Sequence, residues 1–442
     1  MDGPINSYLL FNLALTLLSS FWIGFLFFRA RYLFVKPSVF VLSYFNIFAQ
    51  WPSVLIAHYV EESLPNPYAV SLLIHGYVFV GLFTTSRTWK HSAKDAWQRI
   101  HDWNPDPSSS RSIMLLLASL LVLGVGYYLS YVPLSQTGLW VIFTDPVSSV
   151  MAREESLKLL ENVLPAYIYS LTVSSVIPLL SVFFAMELFR NFGRRRFAVF
   201  VVYFGLLAIV GVLASLTGAR SSLVTVILVV IFTRLWMKQL SMNVAKIALL
   251  LALALIPAVL LSLLREGVEY SEFNSLLGEY FGSLVERTFI TPYVVGLWYL
   301  YHAQMFGPVG LASIPKLATL LGIPPIDLPN VIGLIYAPLS GATVGETISA
   351  PAGYLFTQFC NFGVVSFPFS LLCLWILDVA VPLYARLSDV LLLPTIVCLS
   401  VVAIQFLQSD FTVVLVTHGF AIILALSYII SRVLPDRSHC TS

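Results

Sequence analysis

Charge is what this sequence has least of. Asp, Glu, Lys and Arg make up 10% of its 442 residues, whereas a soluble domain carries about 25%. That shortage excludes a globular domain wrapped in a solvated shell. Cysteine is scarce as well. Cys360, Cys373, Cys398 and Cys440 fall in or near apolar segments and form no paired spacing. A disulfide framework or a zinc site of the usual kind is therefore not expected, and the four read as small packed residues and one tail thiol. HExxH, Walker and GxSxG patterns are absent from the sequence, so no metal and no nucleotide cofactor are expected. The net charge of +2 comes with no signal for nucleic acid. His58, His75 and His418 stand apart along the chain, which argues against a proton relay.

What is present is apolar. Hydrophobic residues make up 58% of the chain and aromatics 14%, with a mean hydropathy of +0.88. They gather in runs of about twenty, the length that crosses a hydrocarbon layer of roughly 30 Å. Backbone in hydrocarbon must satisfy its own hydrogen bonds, so each run should be helical. The expected fold is an all-α integral membrane protein of about eleven transmembrane helices. The spans are expected near 8–28, 38–60, 68–86, 113–134, 164–189, 197–216, 221–237, 244–264, 363–384, 390–408 and 412–431. The run from Tyr8 is too long for a signal-peptide core and reads as the first span.

Lys and Arg concentrate on cytoplasmic loops. Placing Arg29, Arg31 and Lys36 inside leaves only Arg153, Lys158, Arg220, Arg265, Arg287 and Lys316 outside, among 24 basic residues. The N-terminus is then outside and the C-terminus cytoplasmic. The cytoplasmic stretch 87–112 reads as a tether. Residues 1–442 form one polytopic domain with two outer loops, 135–163 and 265–362. The larger loop is apolar and aromatic in its middle (FITPYVVGLWYLYHAQMFG, 289–307), but Pro and Gly break it. It reads as amphipathic or re-entrant helices at the interface.

The outer arginines are the first candidates for chemistry. Guanidinium presents a rigid fork of donors to phosphate oxygens. Arg220 sits in SLTGARSSL between two apolar runs, Arg287 in SLVERTFITPY, Arg153 in SSVMAREESLKLLENVLP and Arg265 in LLREGVEY. Snorkelling or i,i+4 pairing is the plainer reading of each. Acid–base candidates are His302 in YLYHAQMF, Glu346 in SGATVGETISAP and Asp410 in FLQSDFT. For His302 the plainer reading is a packed, hydrogen-bonded ring.

Four segments resemble the O-antigen polymerases, the Wzy-type oligosaccharide repeat-unit polymerases of Gram-negative bacteria. TGARSSLVTVILVVIF (217–232) resembles the family's small-residue turn with a basic residue. VMAREESLKLLENVLPAYIYSL resembles its first outer arginine loop, and EYFGSLVERTFITPYVVGLWYLYHAQMFG (279–307) its second. SGATVGETISAPAGYLFTQFCNFGVVSF (340–367) is similar to the segment that re-enters the membrane. The R-x10-G pattern of some members does not occur at Arg153 or Arg287.

The resemblance implies a GT-C-like polymerase/ligase architecture in the bacterial inner membrane, with the active site facing the periplasm. It also implies transfer of a growing glycan from undecaprenyl diphosphate to the terminal sugar of another undecaprenyl-linked repeat unit, without metal. A chain-length regulator protein is an implied partner beside the lipid bilayer. On this expectation Arg153, Arg220, Arg287 and Arg265 hold diphosphate, while Glu346, His302 and Asp410 compete for the role of base. An O-antigen ligase and a lipid-linked oligosaccharide flippase are the rival expectations. A flippase should carry charged or polar residues inside several spans.

Overall fold

Apolar runs have become helices throughout the part of the chain that is described, and strands are absent from it. The computed structural model describes residues 7–102, 107–145, 164–191, 197–218, 220–238, 240, 286–336 and 350–434. Among them, nine helical runs are long and apolar enough to cross a membrane, with Ser221–Met237 as a shorter apolar helix. The expected span near 244–264 and the expected amphipathic helix around Arg153 lie outside the described residues.

The described residues divide into two packing units. The first comprises Met1–Lys94, Val285–Pro382 and Ala403–Val414. It contains α1 (Ser7–Arg29), the run α2 (Pro37–Leu55) and α3 (Pro67–Arg87). Pro37 and Pro67 both stand in the first turn, where a missing N–H costs nothing. Asn66 caps α3 by accepting a hydrogen bond from the Ala69 N–H at 3.1 Å. Within α2, Asn46–Gln50 forms a π-turn, a local widening often found where side chains are presented for use.

Lys36 does not behave like a loop charge. It is fully buried, and its Nζ donates to the Thr85 carbonyl at 2.5 Å and to the Thr88 carbonyl. Those carbonyls are left open by the end of α3, where the helix dipole favours a cation. Burial pushes the Lys36 pKa down, and the nearby Asp378 carboxylate opposes that shift. Asp378 is itself fully buried and accepts from the Ser38 N–H at 3.2 Å.

The described part of the segment expected as the larger outer loop belongs to the first unit. A π-turn at Glu286–Ile290 leads into α4 (Thr291–Phe306). Phe289 stacks on Phe48 at 5.0 Å and 17°. Phe48 lies seven residues before Leu55, so the start of α4 sits about 10 Å inward along α2 at 1.5 Å per residue. Leu328–Tyr336 forms α5, and Tyr354–Phe362 forms α6.

The expected span at 363–384 begins too late. Helical structure starts at Tyr354, and Gly363 (φ +61) breaks the apolar run. Phe362 meets Phe369 across the break at 6.3 Å. The pairs Tyr293–Phe356 (6.4 Å) and Val309–Cys360 (N–H to carbonyl, 3.0 Å) show that α4 and α6 run in the same direction. Gly296 permits their approach, because a Cβ there would lie 2.6 Å from the Phe356 ring. After the break, Ser366–Asp378 forms α7.

The second unit comprises Asp95–Leu284, Leu383–Val402 and Leu415–Ser442. Its core is the run Ile168–Asn191, 72% buried, together with the buried stretch Val390–Val402. The stretch 87–112, expected as a tether, instead carries the amphipathic helix Lys90–His101. Its C-terminal half turns Trp97 onto Trp236 at 5.9 Å. Arg99 there clasps Asp389 at 2.6 and 2.9 Å and donates to the Tyr384 and Leu387 carbonyls at 2.8 Å each. Short polar spacing concealed this helix, since its only apolar stripe is Ala93, Ala96 and Ile100.

Candidate functional site

Helix α4 places His302, Trp298, Tyr299 and Tyr301 within one turn. Tyr336, near the end of α5, meets three of them. It stacks on Trp298 (6.2 Å, 21°) and stands edge-on to Tyr301 (5.8 Å) and to His302 (6.2 Å). Its hydroxyl lies 3.3 Å from His302 Nδ1. His302 is half-buried, and burial lowers its pKa. The ring is therefore neutral near pH 7. With Nδ1–H donating to the Tyr336 oxygen, Nε2 keeps a lone pair that accepts a proton.

Tyr299 faces the interior and donates its O–H to the Ala350 carbonyl at 2.9 Å. Its pKa is raised, first by burial and next by Cys360, with smaller contributions from Asp327 and Asp410. Burial also raises Tyr336, to about 12, with Tyr301 and Cys360 adding to the effect. Both phenols stay protonated, and Tyr299 donates to the Ala350 carbonyl.

Asp410 belongs to the same unit. Its Oδ1 accepts from Gln358 Nε2 at 3.0 Å and its Oδ2 from Thr412 Oγ1 at 2.9 Å. Both oxygens are committed to holding helix α6 and the turn at 408–411. That geometry suits a positioning group better than a base. Asp410 lies within electrostatic reach of Tyr299, three residues before His302 on α4.

The same region holds buried carboxamide oxygens without a hydrogen-bond partner among the described residues: Gln304, Asn330, Gln358 and Asn361. Gln358 and Asn361 are 3% and 1% exposed and share one face of α6 at i,i+3. An unmet buried acceptor costs about 1–3 kcal/mol, so these atoms call for O–H or N–H donors. The sequence offered no sign of them, because Gln and Asn carry no charge and follow no spacing rule. Apolar surface lies close by, with Phe306, Val364 and Val365 each at least 70% exposed.

Of the other expected site residues, Arg153, Arg265 and Glu346 lie outside the described residues. Arg220 opens the helix Arg220–Met237 and belongs to the second unit, while Arg287 sits in the π-turn ahead of α4. The side chains of both are outside the described set.

The expectation that His75 is isolated is overturned. Its ring is 1% exposed in α3 and contacts Asn12 and Gln50 through its two nitrogens. The partners lie 25 and 63 residues away, so the folded helices, not the sequence, bring them together. A groove of about 240 Å³ lies elsewhere in this unit, between Thr84, Thr85, Thr88, Leu371, Leu372 and Trp375. Its three threonine hydroxyls donate back to carbonyls of their own helix, which leaves an apolar lining without chemistry.

No protein family, characterised protein or solved structure matches this chain in comparison. Among the described residues, no cluster of three or more His, Cys, Asp or Glu side chains is placed to hold a metal ion.

Proposed function

We propose that this chain is an inner-membrane glycosyltransferase of the O-antigen polymerase kind. It moves a growing glycan from undecaprenyl diphosphate onto the terminal sugar of another undecaprenyl-linked repeat unit at the periplasmic face. The observation that carries this reading is the α4–α5–α6 cluster. A neutral histidine, three aromatic rings and unmet carboxamide acceptors gather beside exposed apolar surface, at the end of α4.

Each part suits that substrate. Sugar hydroxyls are donors for Gln358 and Asn361, and sugar faces stack on Trp298 and Tyr301. His302 Nε2 takes the proton from the acceptor hydroxyl as the glycosidic bond to diphosphate breaks. Arg287 precedes α4, and Arg153, Arg220 and Arg265 are the further candidates for neutralising the leaving diphosphate. The lipid tails lie along Phe306, Val364 and Val365.

The test uses purified protein in liposomes with undecaprenyl-diphosphate-linked repeat units as the only substrate. A ladder of polymer supports the reading. Formation of product only after lipid A core is added would make the enzyme an O-antigen ligase.

One observation favours a second reading, a lipid-linked oligosaccharide flippase. Polar side chains are buried inside α1, α2 and α3, and the Lys36–Asp378 pair is buried at the other end of the same unit. Movement of the lipid-linked oligosaccharide across sealed vesicles, without polymer, would establish that reading instead.

A further inference from the structure

The buried cluster around His75 plays no part in the transfer chemistry and stands independently of it. His75 lies eight residues into α3, about 12 Å along the helix. Its Nε2 is 3.1 Å from Asn12 Oδ1, a pure acceptor, so Nε2 carries a proton. Its Nδ1 is 2.6 Å from Gln50 Nε2, which donates to the ring lone pair. Gln50 Nε2 also donates to Ser19 Oγ at 3.1 Å, and Gln50 Oε1 accepts from Asn46 Nδ2 at 2.7 Å. Asn46 Oδ1 in turn accepts from Ser20 Oγ at 3.0 Å. Every member is satisfied, and the ring is neutral.

The ladder reads equally well in reverse. Half a turn of the Gln50 and Asn46 carboxamides exchanges their oxygens and nitrogens. Gln50 Oε1 then accepts from Nδ1–H and from the Ser19 hydroxyl. Gln50 N–H donates to Asn46 Oδ1, and Asn46 N–H donates to Ser20. The ring now donates from both nitrogens, which is the hydrogen-bonding pattern of imidazolium. Burial opposes that charge, and the two acceptors on either side offset it. The same atoms can therefore present two acceptors to a doubly protonated ring, with the Ser19 hydroxyl giving up its bond to the Leu15 carbonyl.

Polar groups also lead outward from the ring. Asn12 Oδ1 accepts from Ser71 Oγ at 2.7 Å, and Ser71 Oγ lies 3.0 Å from the Tyr8 hydroxyl. The Tyr8 ring meets Tyr68 edge-on at 5.2 Å, and the Tyr68 hydroxyl is 3.2 Å from Ser7 Oγ at the exposed end of α1. The ionisable groups on the surrounding elements are Tyr8, Tyr68, Tyr77 and Tyr293, the Cys373 thiol, and Glu61 within electrostatic reach of Tyr8.

We propose that His75 is an intramembrane proton-binding site whose occupancy sets the orientation of Gln50 and Asn46. The step is addition of one solvent proton to neutral imidazole, and no other bond changes. Gln50 and Asn46 belong to the π-turn that packs through Phe48 on Phe289, in the turn ahead of α4.

The experiment is nitrogen NMR of the full chain in lipid nanodiscs, labelled in histidine rings and side-chain amides and titrated from about pH 8 to about pH 4.5. H75Q identifies the His75 signals. The expected result is a change from one to two protonated ring nitrogens, with the Gln50 amide signal moving at the same midpoint. A ring that keeps one protonated nitrogen wherever the spectrum stays folded overturns the proposal, and the cluster is then helix adhesion alone. Q50E sets a carboxylate beside Nδ1 and should raise the midpoint by about one pH unit, tenfold in proton affinity. An unmoved midpoint in Q50E overturns the proposal as well.

Discussion

Removing either member of the Lys36–Asp378 pair should cost far more than removing both. Asp378→Ala leaves the buried Lys36 ammonium facing only the Thr85 and Thr88 carbonyls. Lys36→Met leaves a buried carboxylate with the Ser38 N–H as its partner and strips the Thr88 carbonyl of its donor. The two buried charges interact through space without a direct ion-pair contact, and the uncompensated charge left by removing one costs up to about 3–5 kcal/mol. Replacing both charges by apolar groups of similar volume is often neutral. Here the Thr88 carbonyl loses its donor while the Thr85 carbonyl keeps the Thr88 hydroxyl, which adds back about 1–3 kcal/mol. Lys36→Met with Asp378→Leu should therefore cost about 2 kcal/mol, well below either single change. Two independent costs would instead sum to about 6–10 kcal/mol. The assay is unfolding in mixed micelles, read by helical circular dichroism for wild type, both singles and the double variant. Additive costs, or single variants within about 0.5 kcal/mol of wild type, would refute the reasoning, since that is the range of surface changes.

Other perturbations test the site and its supports. Asp410→Asn should lower activity while Thr412→Val does so less, because Asp410 Oδ1 holds Gln358 and Thr412 caps only the other oxygen; polymer yield per inserted protein checks this. In kcat/KM against pH, activity should rise as His302 loses its proton and then level off. Burial lowers the His302 pKa, so the midpoint should fall below the ordinary histidine value of about 6.5. A limb centred above that value contradicts the assignment. Gly296→Ala should destabilise by about 1–3 kcal/mol through overpacking, because its Cβ would lie 2.6 Å from the Phe356 ring; the same micelle unfolding measures it. Gly419→Ala should cost about 1–2 kcal/mol from backbone strain, given its φ of +84, with close approach to the Ser174 carbonyl at 2.7 Å adding to it.

The spans were legible because length and hydropathy alone report them. Starts at Ser7, Pro37, Pro67, Phe197 and Asp389 fall within a residue of the expected boundaries. What length cannot report is a break inside an apolar run. The run from Tyr354 contains no charge before Asp378, so only the left-handed backbone of Gly363 marks the turn. Lys36 looked like one more cytoplasmic loop charge, since its partners lie 49 and 52 residues away at the end of α3. His75 looked solitary for the same reason. At the candidate site, His302 and Asp410 stood out as ionisable groups in a nearly uncharged chain. Gln358, Asn361 and Tyr336 did not, because their role comes from burial and from the meeting of α4, α5 and α6. The arginines stood out by charge, and their side chains lie outside the described residues.

On the proposed reading, the His302 cluster performs glycosyl transfer from a polyprenyl diphosphate. Liposomes holding pure protein and lipid-linked repeat units, treated with chelator, test it most directly when wild type is run beside His302→Ala and Arg287→Ala. The account expects a polymer ladder from wild type and none from either variant, each inserted to the same level. A wild-type ladder length in both variants, or no polymer from folded wild type, would contradict it.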